Sequence, residues 1–229
     1  MEISSFVVED IMISSRILYG LDLSPLVGAP FSIDIICSAY QRFGECSVLV
    51  QSFINQTFDN WSLHVLHDGP SKDFDQLASI YSDKRLKFSS TKKRFSDYGH
   101  SLREIGLQQS KGDYVLITNA DNYYVPHFLS LVGKAIASCS PDVILFDMIH
   151  SHECPGNRLQ ESYNLFQTSF AINSVDMGSV VVKGDLARRA GFQSKTYAAD
   201  WDYFESVANL VQGREMRMVK IPKVLLVHN

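Results

Sequence analysis

The segment Tyr114-Val115-Leu116-Ile117-Thr118 constrains the fold more than any other part of the chain. It is apolar or β-branched throughout, with no polar residue at alternate positions. A strand with one wet face would alternate, so this one reads as a central parallel strand covered on both sides. It stops abruptly in Asn119-Ala120-Asp121-Asn122. Open α/β sheets bind their ligands in the crevice at the carboxyl ends of the strands, which makes this polar cluster a candidate site. One carboxylate, Asp121, flanked by amides suits a hard divalent cation bridging to phosphate oxygens. The plain alternative is a capped strand-to-helix turn before Pro126.

The surrounding pattern supports a sheet of that kind. From Phe31 onward, strand and helix periodicities alternate: strands over Phe31–Cys37, Trp61–Leu66, Leu86–Ser89, Tyr114–Thr118 and Val143–Met148, and helices over Cys46–Ile54, Phe74–Tyr81, Ser101–Gln109 and Pro126–Ala137. Such alternation predicts an α/β fold, a mostly parallel central sheet flanked by helices. After a polar loop at 151–162 the pattern gives strands over Gly178–Lys183, Met216–Lys220 and Val224–Val227, with helices over Asp185–Ala190 and from about Asp200 to Val211. Residues 1–30 hold two short apolar stretches, Phe6–Val8 and Ile11–Leu23, broken by Ser14-Ser15. They read as an N-terminal extension that packs on the core or mediates self-association. Residues 31–229 read as the main domain, with 31–123 expected to form a nucleotide-binding unit and 124–229 a substrate-side unit.

Composition narrows the classes. With 229 residues and 45% hydrophobic content the chain can bury a sizeable core as one domain. A net charge of −4 and the lack of a dense basic tract argue against nucleic acid as a partner. Cys37, Cys46, Cys139 and Cys154 form no CxxC pair and read as reduced thiols of a cytoplasmic protein. No apolar run approaches the ~20 residues of a transmembrane helix, which leaves peripheral membrane contact open.

Strand ends are where the chemistry belongs. Ser38-Ala39-Tyr40-Gln41-Arg42 follows the first strand and His67-Asp68-Gly69-Pro70-Ser71 the second. Ser38 and Tyr40 suit a base or ribose, and Asp68 suits a base N–H. Neither GxGxxG nor GxxxxGK[ST] occurs. A nucleoside diphosphate here would need a metal to offset its charge, and Asp121 answers that need.

Several pieces, taken in order, resemble family 2 glycosyltransferases. Ser52-Phe53-Ile54-Asn55-Gln56-Thr57-Phe58 resembles the family's S-x-x-x-Q-T-[FY], and His67-Asp68-Gly69 its D-D-[GN]-S. Leu102-Arg103-Glu104-Ile105-Gly106-Leu107 resembles A-R-N-x-G-[IL], and Gly112-Asp113-Tyr114 the G-[DE]-Y strand entry. Asn119-Ala120-Asp121 stands at the D-x-D position, Gly178-Ser179-Val180 at the small-residue strand before the acceptor site, and Ala199-Asp200 at the E-D pair.

The resemblance implies a GT-A-type nucleotide-binding fold and inverting transfer of a sugar from a nucleotide-diphosphate donor, usually a UDP-sugar. The acceptor would be a saccharide or lipid-linked saccharide hydroxyl in polysaccharide or glycoconjugate assembly. It implies donor contacts at Ser38, Ala39, Tyr40, Asp68, Arg103, Asn119, Ala120 and Asp121. It further implies Mn²⁺ or Mg²⁺ held by Asp121, and Asp200 as general base. In some GT-A enzymes a late histidine joins the metal, which implies His228. The chain departs from the pattern at His67, Asn119 and Ala199, each replacing an acid. Fewer anionic ligands weaken metal affinity, so a catalytically degenerate sugar-nucleotide-binding or assembly module stands as the alternative.

Other motifs carry less. His150-x-His152-x-Cys154 has zinc-type residues at a spacing that fits no common structural site. His64 and His67 read as core or surface residues, and Lys92-Lys93-Arg94 as a solvated loop that could meet phosphates or an anionic lipid-linked acceptor. No G-x-S-x-G elbow supports a hydrolase.

Overall fold

The computed structural model describes residues 2–8, 11–150, 163–196 and 199–228. Two strands, β1 (Glu2–Val8) and β2 (Ile11–Ile17), begin the chain. The expected alternation follows as β3 (Ile33–Ala39), α1 (Phe43–Ile54), β4 (Trp61–His67), α2 (Lys72–Ser79), β5 (Leu86–Ser90), α3 (His100–Gln109) and β6 (Tyr114–Asn119). The second half runs β7 (Asn122–Tyr124), α4 (Phe128–Cys139), β8 (Val143–His150), β9 (Asn164–Phe166), β10 (Val180–Lys183), α5 (Gly184–Ala190), α6 (Ala199–Asn209) and β11 (Met216–His228).

These strands form one sheet in the order β1-β2-β11-β8-β10-β6-β3-β4-β5. The long pairings β3–β4, β3–β6, β4–β5, β8–β11 and β2–β11 are parallel. β10 enters antiparallel between β6 and β8, with Val181 opposite both Leu116 and Ile144.

Alternation along β3 shows how both faces are covered. Ile33, Ile35 and Cys37 join a core with Leu49, Val50 and Phe53 of α1 and with Phe128, Leu129 and Val132 of α4. Ile36 points the other way, into a core with Leu102 and Leu107 of α3, Leu186 of α5 and Phe204 of α6. In α1 the buried positions Cys46, Leu49, Val50 and Phe53 recur every three or four residues, which is why the segment is a helix with one buried stripe. Each such side chain contributes about 1.5–3 kcal/mol on full burial. Ser71 caps α2 by accepting from the Phe74 amide at 3.2 Å, a contact worth about 1 kcal/mol.

Several elements differ from expectation. β1 and β2 pair antiparallel, and Ser14-Ser15 does not interrupt β2, because both serines pair with Arg217 and Met218 of β11. The two expected final strands are one, β11, whose register slips between Ile221 and Val224. Pro222 lies in that gap and has no N–H to give the ladder. Met177–Ser179 is a 3₁₀ turn rather than the start of a strand. The short β7 and β9 were not foreshadowed by any periodicity, since three residues carry too little pattern. Of the zinc-type motif, His152 and Cys154 lie outside the described residues.

Candidate functional site

Parallel pairing aligns the ends of β3, β4 and β6, so the polar residues that follow them share one edge. Ser38 stands opposite Asn119 in register and donates its hydroxyl to Asn119 Oδ1 at 3.2 Å. Gly99, with φ of 85°, packs so closely here that a Cβ would lie 2.8 Å from Ser38 Oγ. Ala39 and Ala120 are buried in the core and offer the site only backbone.

Past these ends lies a cleft of about 500 Å³ lined by Tyr40, Arg42, His67, Asp68, Ser71 and Arg94, among others. His67 is its buried wall, with rings of Tyr40, Phe43 and Phe74 at 5.9, 5.9 and 4.8 Å. Its Nδ1 pairs with the Gly69 carbonyl at 2.7 Å, which makes Nδ1 the protonated nitrogen, and its Nε2 accepts from the Gln41 amide. His64, three residues earlier, falls on the opposite face of β4 and pairs with Ser89 Oγ at 2.6 Å. Asp68 is buried and accepts from the backbone amides of Phe95 and Ser96 at 2.7 and 3.0 Å. Both its oxygens therefore hold the 94–99 loop in this state. Above them the Arg94 guanidinium lies 3.7 Å from the centroid of the Tyr40 ring.

Arg103, buried on α3, joins the two halves of the chain. Its Nη2 donates to Asn119 Oδ1 at 3.0 Å and its Nη1 to Asp200 Oδ1 at 3.3 Å. Nη1 also meets Nδ1 of His100 at 3.0 Å, whose Nε2 pairs with the Thr196 carbonyl at 2.9 Å. His100 is thereby a neutral acceptor toward Arg103, and burial with the Arg103 charge holds its pKa below the ordinary value. Asp200 stands in the first turn of α6, and about a third of its side-chain surface stays open. Burial of the rest pushes its carboxyl above the ordinary carboxylate value; Arg103 opposes the rise, and Asp176 adds to it.

His228 reaches the site because β7 pairs with the end of β11, placing Asn122 opposite His228. Asn122 Nδ2 donates to Thr118 Oγ1 at 2.9 Å, which fixes the amide, and its Oδ1 meets His228 Nδ1 at 2.6 Å. A neutral His228 then carries its proton on Nδ1. Gly178 crowds the same amide: a Cβ there would lie 2.7 Å from Asn122 Nδ2.

A metal was expected on Asp121. Among the described residues no three His, Cys, Asp or Glu side chains cluster as a ligand set. Asp121 nevertheless fits the role, because its Oδ1 is buried without a hydrogen-bond partner. Mg²⁺-type ions are commonly held by one or two carboxylates, with waters and substrate phosphates completing the shell. Its Oδ2 is paired with Arg42 Nη1 at 2.7 Å. Sequence reasoning gave Arg42 no role. The signal was there, since parallel β3 and β6 bring the residues after Ala39 beside those after Asn119.

The model of glycosyl transferase family 2 matches residues 34–182, and the chain belongs to that family. Its fold is that of the GT-A glycosyltransferases. It superposes on S. aureus TarS in complex with UDP with a TM-score of 0.69 at 20% identity, over 86% of this chain and 60% of that one. A mannosyltransferase from Pyrobaculum calidifontis, in complex with GDP-Man and Mn²⁺, gives 0.65 at 16% identity, over 90% of this chain and 59% of that one. An uncharacterized glycosyltransferase of Rickettsia bellii is 26% identical over 103 residues, which is 44% of this chain and 14% of the relative. The chain thus spans a small part of the curated relatives it matches. No described helix is long and apolar enough to cross a membrane.

Proposed function

We propose that the protein transfers a sugar, with inversion, from a nucleoside-diphosphate donor, a UDP-sugar first among candidates, to a hydroxyl of a saccharide or lipid-linked saccharide. One observation carries the reading: Arg103 spans from Asn119, at the strand end beside Asp121, to Asp200. A proposed base thus stands one guanidinium away from the proposed diphosphate site. The base and ribose fall to Tyr40, Ser38 and Asp68, with Asp68 released from the loop amides it now holds. Mn²⁺ or Mg²⁺ on Asp121, with His228 as a second ligand, would offset charge on the leaving diphosphate. Asp200 takes the acceptor's proton as the hydroxyl attacks, a task suited to a carboxylate whose pKa burial has raised. The TarS complexes with UDP and UDP-GlcNAc and the mannosyltransferase complex with GDP-Man and Mn²⁺ support donors of this class.

A non-catalytic binding module is favoured by one feature, the neutralisation of Asp121 by Arg42. Calorimetry of UDP with Mn²⁺ and with EDTA, together with transfer by Asp200→Asn, separates the two. The enzyme reading expects metal-dependent UDP binding, retained in Asp200→Asn, with transfer by that variant reduced by about a hundredfold or more. UDP affinity equal in metal and in EDTA would remove the metal from the proposal, and undiminished transfer by the variant would remove the base.

A further inference from the structure

Arg42 sits where its residue type is least comfortable. Gln41 and Arg42 both have φ of 54°, the left-handed region, at the entry to α1. Side chains with a Cβ enter that region at a cost, and such strain concentrates where surrounding contacts over-determine it. Two contacts do so here. The Gln41 amide donates to His67 Nε2 at 3.4 Å, and the Arg42 guanidinium closes on Asp121 Oδ2 at 2.7 Å. The backbone is therefore bent in the direction that lays a cation on Asp121, two residues past the end of β6. Asp121 is 9% exposed and Arg42 37%. The carboxylate is fixed, while the cation has room to leave toward the cleft that it lines.

We propose that Arg42 is a placeholder cation: it neutralises Asp121 in the nucleotide-free protein and passes to the donor's diphosphate when a divalent metal takes Asp121. This rests on the metal role of Asp121 proposed above. Charge balance motivates the exchange. A buried carboxylate with one orphaned oxygen is costly without a countercharge, and Arg42 supplies it until the metal does. Once the metal is on Asp121, the guanidinium is repelled by the metal. The diphosphate then presents paired anionic oxygens that the planar guanidinium fork can meet with two hydrogen bonds. Arg42 thus suppresses metal binding in the absence of nucleotide and supports nucleotide binding in its presence, coupling the two.

The test uses the whole chain and two ligands separately. Mn²⁺ binding without nucleotide is followed by electron paramagnetic resonance, and UDP and uridine binding at saturating Mn²⁺ by calorimetry. Arg42→Ala is expected to bind Mn²⁺ alone about tenfold tighter and UDP about tenfold weaker, the size of one charge-assisted hydrogen bond. Uridine, which has no phosphate, should bind unchanged. Arg42→Lys keeps a cation and should hold Mn²⁺ and uridine near wild type while binding UDP between wild type and Arg42→Ala, because an ammonium lacks the fork; this guards against misfolding of the alanine variant. Unchanged or weaker Mn²⁺ binding by Arg42→Ala, or undiminished UDP affinity, overturns the proposal. Asp121→Asn separates that failure from failure of the metal site: if it binds UDP as well as wild type in Mn²⁺, Asp121 holds no metal and the Arg42 exchange falls with it.

Discussion

His64 should make the folded protein sensitive to mild acid. It is buried on β4, paired with Ser89 Oγ at 2.6 Å, and stands opposite Lys87 of β5 in register. Burial, with the Lys87 charge adding to it, lowers its pKa from 6.5 to about 4. The unfolded chain therefore takes up a proton that the folded one refuses. The neutral ring's contribution is complete above the unfolded value and is lost as pH falls through the window from 6.5 to about 4. At about 1.4 kcal/mol per tenfold change in proton affinity, the full loss is about 3 kcal/mol, a large share of a stability of about 5–15 kcal/mol. Urea denaturation at a series of pH values from 7.5 to 4 reads it directly. Wild type should lose about 3 kcal/mol more across that range than His64→Gln, which keeps a hydrogen-bonding partner for Ser89 and cannot titrate. Parallel pH profiles of the two proteins would refute the reasoning, because they would mean that His64 protonates without cost in the folded state.

Asp200 titrates with the opposite sign for stability. Its raised folded pKa means that the ionised form is disfavoured in the native protein, so Asp200→Asn should be at least as stable as wild type at pH 7 in thermal melts, with the difference closing in acid. A less stable variant at pH 7 would contradict the burial argument. Transfer activity should rise with pH through a midpoint above that of an ordinary aspartate, and a rate profile flat down to pH 4 would contradict the assignment of the base. Gly106→Ala should cost about 1–3 kcal/mol, since the new Cβ would lie 2.3 Å from Ile36 Cγ2 where α3 packs on β3. Combining it with Ile36→Ala should cost less than the two single changes together, as read by urea denaturation. Cys37 and Cys46 should resist alkylation in the native protein at pH 8, because burial pushes both thiols up, Cys46 to about 12; rapid labelling by iodoacetamide of either one would show that the α1 packing opens.

What the sequence by itself determined is the part of the protein written in continuous apolar patterning and local motifs. Tyr114–Thr118 announced a doubly covered strand, and its neighbours announced the alternation, because each carries its periodicity over five or more residues. The polar strand ends marked Ser38, Tyr40, Asp68 and Asp121 as one edge, since parallel pairing must align them. The tertiary structure alone decided contacts between residues far apart in the chain. Arg103 meets Asp200 across 97 positions and Arg42 meets Asp121 across 79. The first pairing depends on how α3 and α6 dock, and the second on β3 and β6 being neighbours in the sheet, which local periodicity alone does not fix. β2 and the three-residue β7 are of the same kind: serine-bearing or brief, each takes its place as a strand along β11. β7 in turn brings Asn122 to His228, so the orientation of that ring is a property of the assembled sheet and of no segment within it.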